Sequence, residues 1–306
     1  MSPRISAIIA TRNRASYLRK AVESLVHQTL DPDLYEIIVV DNGSQDNTKQ
    51  VVEEFAFVPN LHYFFEPVPG CSRARNTGWR NAQGQIIAFM DDDAIAHPEW
   101  LARYIEAFDH YGASVGSIGG KVELIWEVPK PDWLSTRLLG ILSVYHYSDA
   151  MVVLDTDQWL SICNLAYPIE VLKKANGLRE DLGRQGNNLR AGAENFLRQQ
   201  TDEWGLITVY HPDILVQHHI PLSRLTKKWF KNAAFWQGKS DAIMLYPAGK
   251  SSALKEKLIL GMKKILWMIP RFGLMLVAID PAERFRRWFQ MMEASGFIAG
   301  LFLKSE

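Results

Sequence analysis

The chain has 306 residues, 47% hydrophobic and 22% charged, an ordinary globular composition with enough length for a substantial core. Its formal net charge is zero, so no global attraction to nucleic acid follows, and nucleic acid is not an expected partner. Two cysteines, Cys71 and Cys163, are far apart and in no metal-ligand spacing, which argues against a disulfide scaffold and for a reducing compartment. No run of about 18 uninterrupted apolar residues occurs, so no clean transmembrane helix is expected. The apolar residues that follow the start read as a first strand, so no signal peptide is expected. The charge is uneven: residues 224–306 hold 15 Lys/Arg against 6 Asp/Glu, a basic tail suited to an anionic surface.

Ile5–Ala10 is an apolar run of strand length, followed by the polar loop Thr11-Arg12-Asn13-Arg14. Leu18, Val22, Leu25 and Val26 then recur at helical spacing. Glu36–Val40 is a second strand and runs into Asp41-Asn42-Gly43-Ser44, a turn composition. Val51, Val52 and Phe55 mark the inner side of a helix, Leu61–Phe65 a third strand and Cys71–Ala82 another helix. After Ile86–Met90, the fourth strand, Pro98 opens a helix that buries Leu101, Tyr104, Ile105 and Phe108. Strand and helix alternate four times within about 110 residues, which predicts βαβ units and a parallel sheet. The first loop lacks G-x-G-x-x-G, which argues against a dinucleotide-binding domain, and no G-x-x-x-x-G-K-[ST] occurs, which excludes a P-loop.

Gly119–Asp157 lacks periodicity, holds Trp126, Trp133, Tyr145, His146 and Tyr147, and is expected to be irregular. Asn164–Tyr167 leads into a short helix, Ile169–Ala175, ended by Asn176-Gly177. Gly183–Gly192 is expected to be a mobile loop and Glu194–Trp204 a helix. Two short strands, Leu206–Tyr210 and Ile214–Gln217, separated by a turn at His211-Pro212, end in His218-His219. Thr226–Leu245 is a helix. From Leu254 onward, apolar residues at near-helical spacing have Lys255, Lys257, Lys263 and Lys264 on their flanks. Pro270 is expected to interrupt that helix, and Asp280-Pro281-Ala282-Glu283 starts another with an N-cap and a capping-box acid. Arg271 in the most apolar part argues against a simple span. Such stripes fit helices lying in a membrane interface. Packing on the rest of the chain or a dimer contact accounts for them equally well.

The most telling stretch is Ile86-Ile87-Ala88-Phe89-Met90-Asp91-Asp92-Asp93. An apolar run of this kind is a strand buried on both faces, and it ends at the carboxyl edge, where open α/β sheets bind ligands. Three adjacent carboxylates repel one another, and a divalent cation that prefers hard oxygen ligands, Mg²⁺ or Mn²⁺, would offset that. A solvated acidic turn with Asp as N-cap fits the same residues.

Five stretches in order then resemble the family 2 glycosyltransferases, inverting enzymes of the GT-A fold: Ile9–Arg14, Glu36–Ser44, Ala74–Gly78, Phe89–Asp93 with Pro98 and Trp100-Leu101, and Gly192–Asn195. The resemblance covers roughly residues 5–245. It implies that Thr11 and Asp41 hold the nucleotide base and that Arg75 sits near the diphosphate or braces the acidic loop. Asn13, Arg14, Asn42, Asp91 and Asp92 complete the implied donor-binding set. Asp91 and Asp93 are the implied metal contacts, with His218 rather than His219 completing the shell. Glu194 is the implied catalytic base, although the family carries an acidic pair here and this chain has Ala193-Glu194. A helix-start glutamate favoured by the macrodipole is the other reading of Glu194.

The expected fold class is therefore α/β: a GT-A fold with a mostly parallel sheet of two abutting Rossmann-like halves. The donor half is 1–120 and the acceptor half 121–248, with a helical C-terminal appendage at 249–306. The expected activity is metal-dependent inverting transfer, with Mg²⁺ or Mn²⁺, from a nucleotide-diphosphate sugar to a hydroxyl of a glycan or lipid-linked acceptor. A UDP-sugar is the default donor. The setting is cell-envelope or lipid-linked glycan synthesis, in the cytoplasm or on the cytoplasmic face of a membrane surface. Two alternatives stand beside it. A sugar-phosphate nucleotidyltransferase would want a Gly-rich triphosphate loop after the first strand. A catalytically inactive relative serving as a membrane-bound scaffold gains weight from the missing acid before Glu194.

Overall fold

A computed structural model describes residues 2–186, 188–245 and 254–302 of the chain. Strand β1 (Ile5–Thr11) is followed by helix α1 (Ala15–Val26), β2 (Tyr35–Asp41), α2 (Thr48–Glu53), β3 (Leu61–Phe65), α3 (Cys71–Asn81) and β4 (Ile86–Asp91). The four strands lie in the order β3-β2-β1-β4 and pair in parallel throughout. Residues such as Ile8, Ile38 and Phe89 are wholly buried because helices cover both faces of a sheet built by crossovers. The order reverses at β1, and the register sets Thr11 beside Asp41 and Ala10 beside Asp91 along the carboxyl edge.

Beyond β4 the pairing turns antiparallel. β5 (Ala94–Ala96) and α4 (Trp100–Tyr111) precede β6 (Val115–Trp126), β7 (Val152–Val153) and β8 (Asn164–Pro168). α5 (Ile169–Ala175) and α6 (Ala193–Glu203) lead to β9 (Ile207–Ile220). The sheet continues β4-β8-β6-β9-β5, with β7 on β9. β8 is antiparallel to β4 and β6, and β9 to β5 and β7.

Several expectations are corrected here. Gly119–Trp126 is not irregular but the latter part of the long strand β6. Its glycines, which look like turn residues, serve close approach: a Cβ on Gly119 would sit 2.8 Å from the Asn164 carbonyl oxygen, and one on Gly120 would collide with that of Ile214. The two short strands expected at 206–217 are one strand, β9, that runs through Pro212. β9 changes partners along its length, with Val209 and Tyr210 on β7 and Val216–His218 on β5, so the missing N–H of Pro212 falls between the two pairings. Of the expected loop Gly183–Gly192, Asn187 lies outside the described residues, and the rest carries neither helix nor strand.

Two compact units are distinguished. The first comprises Met1–Ile125, Ser143–Glu180 and Ala193–His219, and contains nearly the whole sheet. The second comprises Trp126–Leu142, Asp181–Gly192 and Ile220–Glu306. It is built on α7 (Lys227–Leu245), α8 (Leu254–Leu276) and α9 (Pro281–Phe302). Trp133, Phe230 and Phe285 meet edge to face within it. α7 and α9 approach closely because Gly238 and Gly296 lack side chains: a Cβ on either would strike the backbone carbonyl of Glu293 or Phe235. Pro270 does not interrupt α8, which continues to Leu276. The expected boundary at 248/249 lies outside the described residues.

Candidate active site at the carboxyl edge of the sheet

Three chain segments end at one place in the first unit. β1 delivers Thr11 and the loop to Arg14, β4 delivers Asp91–Asp93, and β9 delivers His218 opposite Ala94. The Thr11 hydroxyl donates to Asp92 Oδ2 at 2.8 Å. The Arg14 guanidinium donates to Asp92 Oδ1 at 2.8 Å and to Asp93 Oδ2 at 2.6 Å. Arg75 donates to Asp91 Oδ1 at 2.6 Å. His218 Nε2 lies 3.0 Å from Asp93 Oδ1. Asp92, Asp93 and His218 are buried, and Asp91 is partly exposed.

Buried like charges need this pairing, because leaving a carboxylate uncompensated in a low dielectric is strongly unfavourable. Burial pushes Asp92 up to about 6 against the pull of Arg14, and Asp93 adds to the rise. Burial opposes the charge on Arg75, but Cys71, Asp91 and Glu194 outweigh it and hold its pKa above the ordinary value. Burial, with Asp91 nearby, pushes the Cys163 thiol up to about 12. Glu194 also contributes to the raised pKa of Tyr145 and Tyr167, after burial. Its carboxylate, in the first turn of α6, therefore shares one electrostatic neighbourhood with Arg75.

Asp91, Asp93 and His218 can each offer one ligand atom, and these atoms lie within 4.8 Å of one another. Two carboxylates and an imidazole can hold a divalent cation, the carboxylates supplying the hard oxygen ligands that Mn²⁺ and Mg²⁺ prefer. His219 is turned elsewhere, its ring tilted against Tyr17 at 5.6 Å.

The remaining implied donor contacts divide. Asp41 accepts from the Ser44 amide at 2.8 Å and from the Tyr63 hydroxyl at 3.0 Å. Asn42 ties loops together: its amide donates to the carbonyls of Glu66 and Val68, and its oxygen accepts from Gly70. Asn13 sits at φ 54°, a left-handed conformation that Asn tolerates, with its side chain accepting from the Gln45 amide at 2.7 Å. Sequence reasoning missed Tyr63, although it lies on the strand beside the one that ends in Asp41, and it named Tyr145 and Cys163 without placing them near this edge. Asn164 was missed as well: it accepts from Trp100 Nε1 and the Tyr104 hydroxyl and donates to the carbonyls of Lys121 and Ile214, tying α4, β6 and β9 to β8.

Residues 6–161 match the family described as glycosyl transferase family 2. The chain is a family 2 glycosyltransferase. The glycosyltransferase AglE of Haloferax volcanii is 30% identical, over 75% of this chain and 71% of that protein. The glucosyl-dolichyl phosphate glucuronosyltransferase of the same organism is 23% identical, over 84% of this chain and 83% of its own length. Among solved structures, the mannosyltransferase PcManGT from Pyrobaculum calidifontis, in complex with GDP-Man and Mn²⁺, matches with TM-score 0.60 and 18% identity, covering 100% of this chain and 77% of that one. S. aureus TarS in complex with UDP matches at TM-score 0.56 and 14% identity, covering 97% and 90%. These likenesses carry the fold: the glycosyltransferase has the expected GT-A architecture and a helical C-terminal region.

Proposed function

We propose that this glycosyltransferase moves a sugar, with inversion, from a nucleoside-diphosphate sugar to a hydroxyl of a lipid-linked or envelope glycan, at the cytoplasmic surface of a membrane. The observation that carries the reading is the group Asp91, Asp93 and His218 at the sheet edge, within the same unit as Glu194. The nucleotides named with the solved relatives, UDP and GDP-Man, support a nucleotide-sugar donor, with a UDP-sugar as default. The dolichyl phosphate in the name of the glucuronosyltransferase relative supports a lipid-linked acceptor.

In this reading, Thr11 and Asp41 face the base of the donor, with Asn13 and Asn42 fixing the loops that carry them. Arg14 and Arg75 hold Asp91, Asp92 and Asp93 in place. When bound to Asp91, Asp93 and His218, a divalent cation supplies Lewis-acid stabilisation of the charge that grows on the leaving diphosphate. Glu194 takes the proton of the acceptor hydroxyl as its oxygen attacks the anomeric carbon. The bond from that carbon to the diphosphate oxygen breaks on the opposite face, and the electron pair leaves with the nucleoside diphosphate. One displacement gives inversion.

The test is calorimetry of nucleoside diphosphates with Mn²⁺ and Mg²⁺, followed by hydrolysis of a panel of nucleotide sugars. Asp93→Asn should abolish metal-dependent binding of the nucleoside diphosphate. Unchanged affinity in that variant would sink the metal assignment.

A further inference from the structure

The second unit carries an apolar surface that core packing does not use. α8 packs one side on α9, where Gly261 meets Leu301 and Phe302 and the Lys264 ammonium lies 5.1 Å from the centre of the Phe297 ring. Its other side presents Met262, Leu266 and Ile269, at spacings of four and three residues, to solvent. The stripe continues past the helix end into the turn before α9. There Leu276 is exposed, Val277 is 73% exposed and Ile279 is 93% exposed. Single exposed apolar residues are common, but a contiguous ridge ending in a bare tip marks an interaction site.

Two further features say what the ridge meets. α8 carries five basic residues against one acid, and Lys255 and Lys263 among them are exposed, so its outer charge is complementary to an anionic surface. Several polar groups of the turn are paired within the chain. Arg284 donates from Nε and Nη2 to the Ala278 carbonyl at 3.0 and 2.7 Å, and the Asp280 carboxylate accepts from the Ala282 and Glu283 amides, both at 3.1 Å. Each polar group so paired lowers the cost of bringing the turn to the boundary of a hydrocarbon layer. Among the described residues no helix is long and apolar enough to cross a membrane.

We infer that the α8–α9 hairpin is an interfacial membrane anchor. The tip at 276–279 enters the acyl boundary as a wedge, and the lysine-rich first half of α8 lies against anionic headgroups. The inference rests on the membrane-borne acceptor of the proposed function and adds the part of the chain that meets the bilayer.

The experiment is flotation of the full chain with phosphatidylcholine vesicles and with vesicles containing phosphatidylglycerol, neither carrying an acceptor. The parent should float with the anionic vesicles at low salt and weaken at least about ten-fold in high salt. Val277→Ser with Ile279→Ser should cut binding by at least about ten-fold, because the tip residues lose their partition into the layer. Lys255→Glu with Lys263→Glu should remove only the preference for anionic lipid. All four positions are exposed, so near-native melting curves are expected in both variants. Parent protein that stays at the bottom with both vesicle types overturns the inference, as does a tip variant that floats like the parent. A dimer that the tip variant loses, without flotation of either protein, would instead assign the ridge to a contact between copies. Nucleoside diphosphate binding with Mn²⁺, measured on the same preparations, reports the proposed activity separately, so the two readings fail independently.

Discussion

Arg14 spans the two deepest carboxylates of the candidate site, and Arg75 holds the third. The chain's own cations therefore already balance most of the acidic run. Arg14→Met removes that balance beside buried Asp92 and Asp93, and melting temperature should fall by several degrees in metal-free buffer. Mn²⁺ should then restore more stability in the variant than it adds to the parent, because it binds only the folded chain. Equal metal shifts in both proteins would show that Arg14 does not compete for the site. Glu194→Gln keeps the shape of the proposed base and removes its proton acceptor. Turnover should drop by about 10²–10⁴-fold with donor affinity nearly unchanged, and near-normal turnover would move the base elsewhere. That the acids gather at the end of a buried strand was legible in the sequence, and three adjacent carboxylates there are costly unless cations meet them. Of the cations that meet them, Arg75 was implied as a brace for the acidic loop, whereas Arg14 was placed only among the donor contacts. Arg14 meets Asp92 across 78 positions, and no local pattern encodes that distance.

At the scale of elements, the parallel half was legible because each βα unit repeats the same apolar run and turn. The antiparallel half was not. β6 disguises itself with Gly119 and Gly120, and β9 with Pro212, residues that read as punctuation until their neighbours are known. The α7–α9 pair is similar, its fit resting on glycines that propensity would count against a helix. Gly296→Ala should destabilise by about 1–3 kcal/mol through overpacking, read in a thermal melt. On α7, burial pushes Asp241 up to about 6 from 3.8, with Glu293 adding to the rise. An acid whose folded pKa is raised favours the folded state below its unfolded value. That stability is lost as pH rises through 3.8 to about 6 and stays lost above. Asp241→Asn should accordingly stabilise the chain at pH 7.5 by roughly 1–3 kcal/mol and make little difference near pH 4. A gain of the same size at both pH values would remove the buried charge as its cause.

At the scale of the molecule, stability is unevenly shared. The central strands hold wholly buried residues such as Ile8, Ile38 and Phe89, whereas α8 buries only Gly261 fully. Amide exchange should be slowest in β1, β2 and β4 and fast along α8, and anionic vesicles should slow it in α8 and the turn that follows. Uniform protection of α8 in solution would mean that another surface already covers it.

The pairing of Asp93 with His218 has a consequence for synthesis on the ribosome. The acidic run emerges 125 residues ahead of its histidine. Until β8 follows at Asn164–Pro168, β4 can pair with β1 alone, so the strand that leads to the carboxylates keeps one naked edge, and β9 comes later still. The nascent glycosyltransferase thus carries an unfinished sheet through much of its translation, a state open to wrong partners. Contacts this distant in sequence close late, and the capacity to hold a cation arrives among the last properties the growing chain acquires.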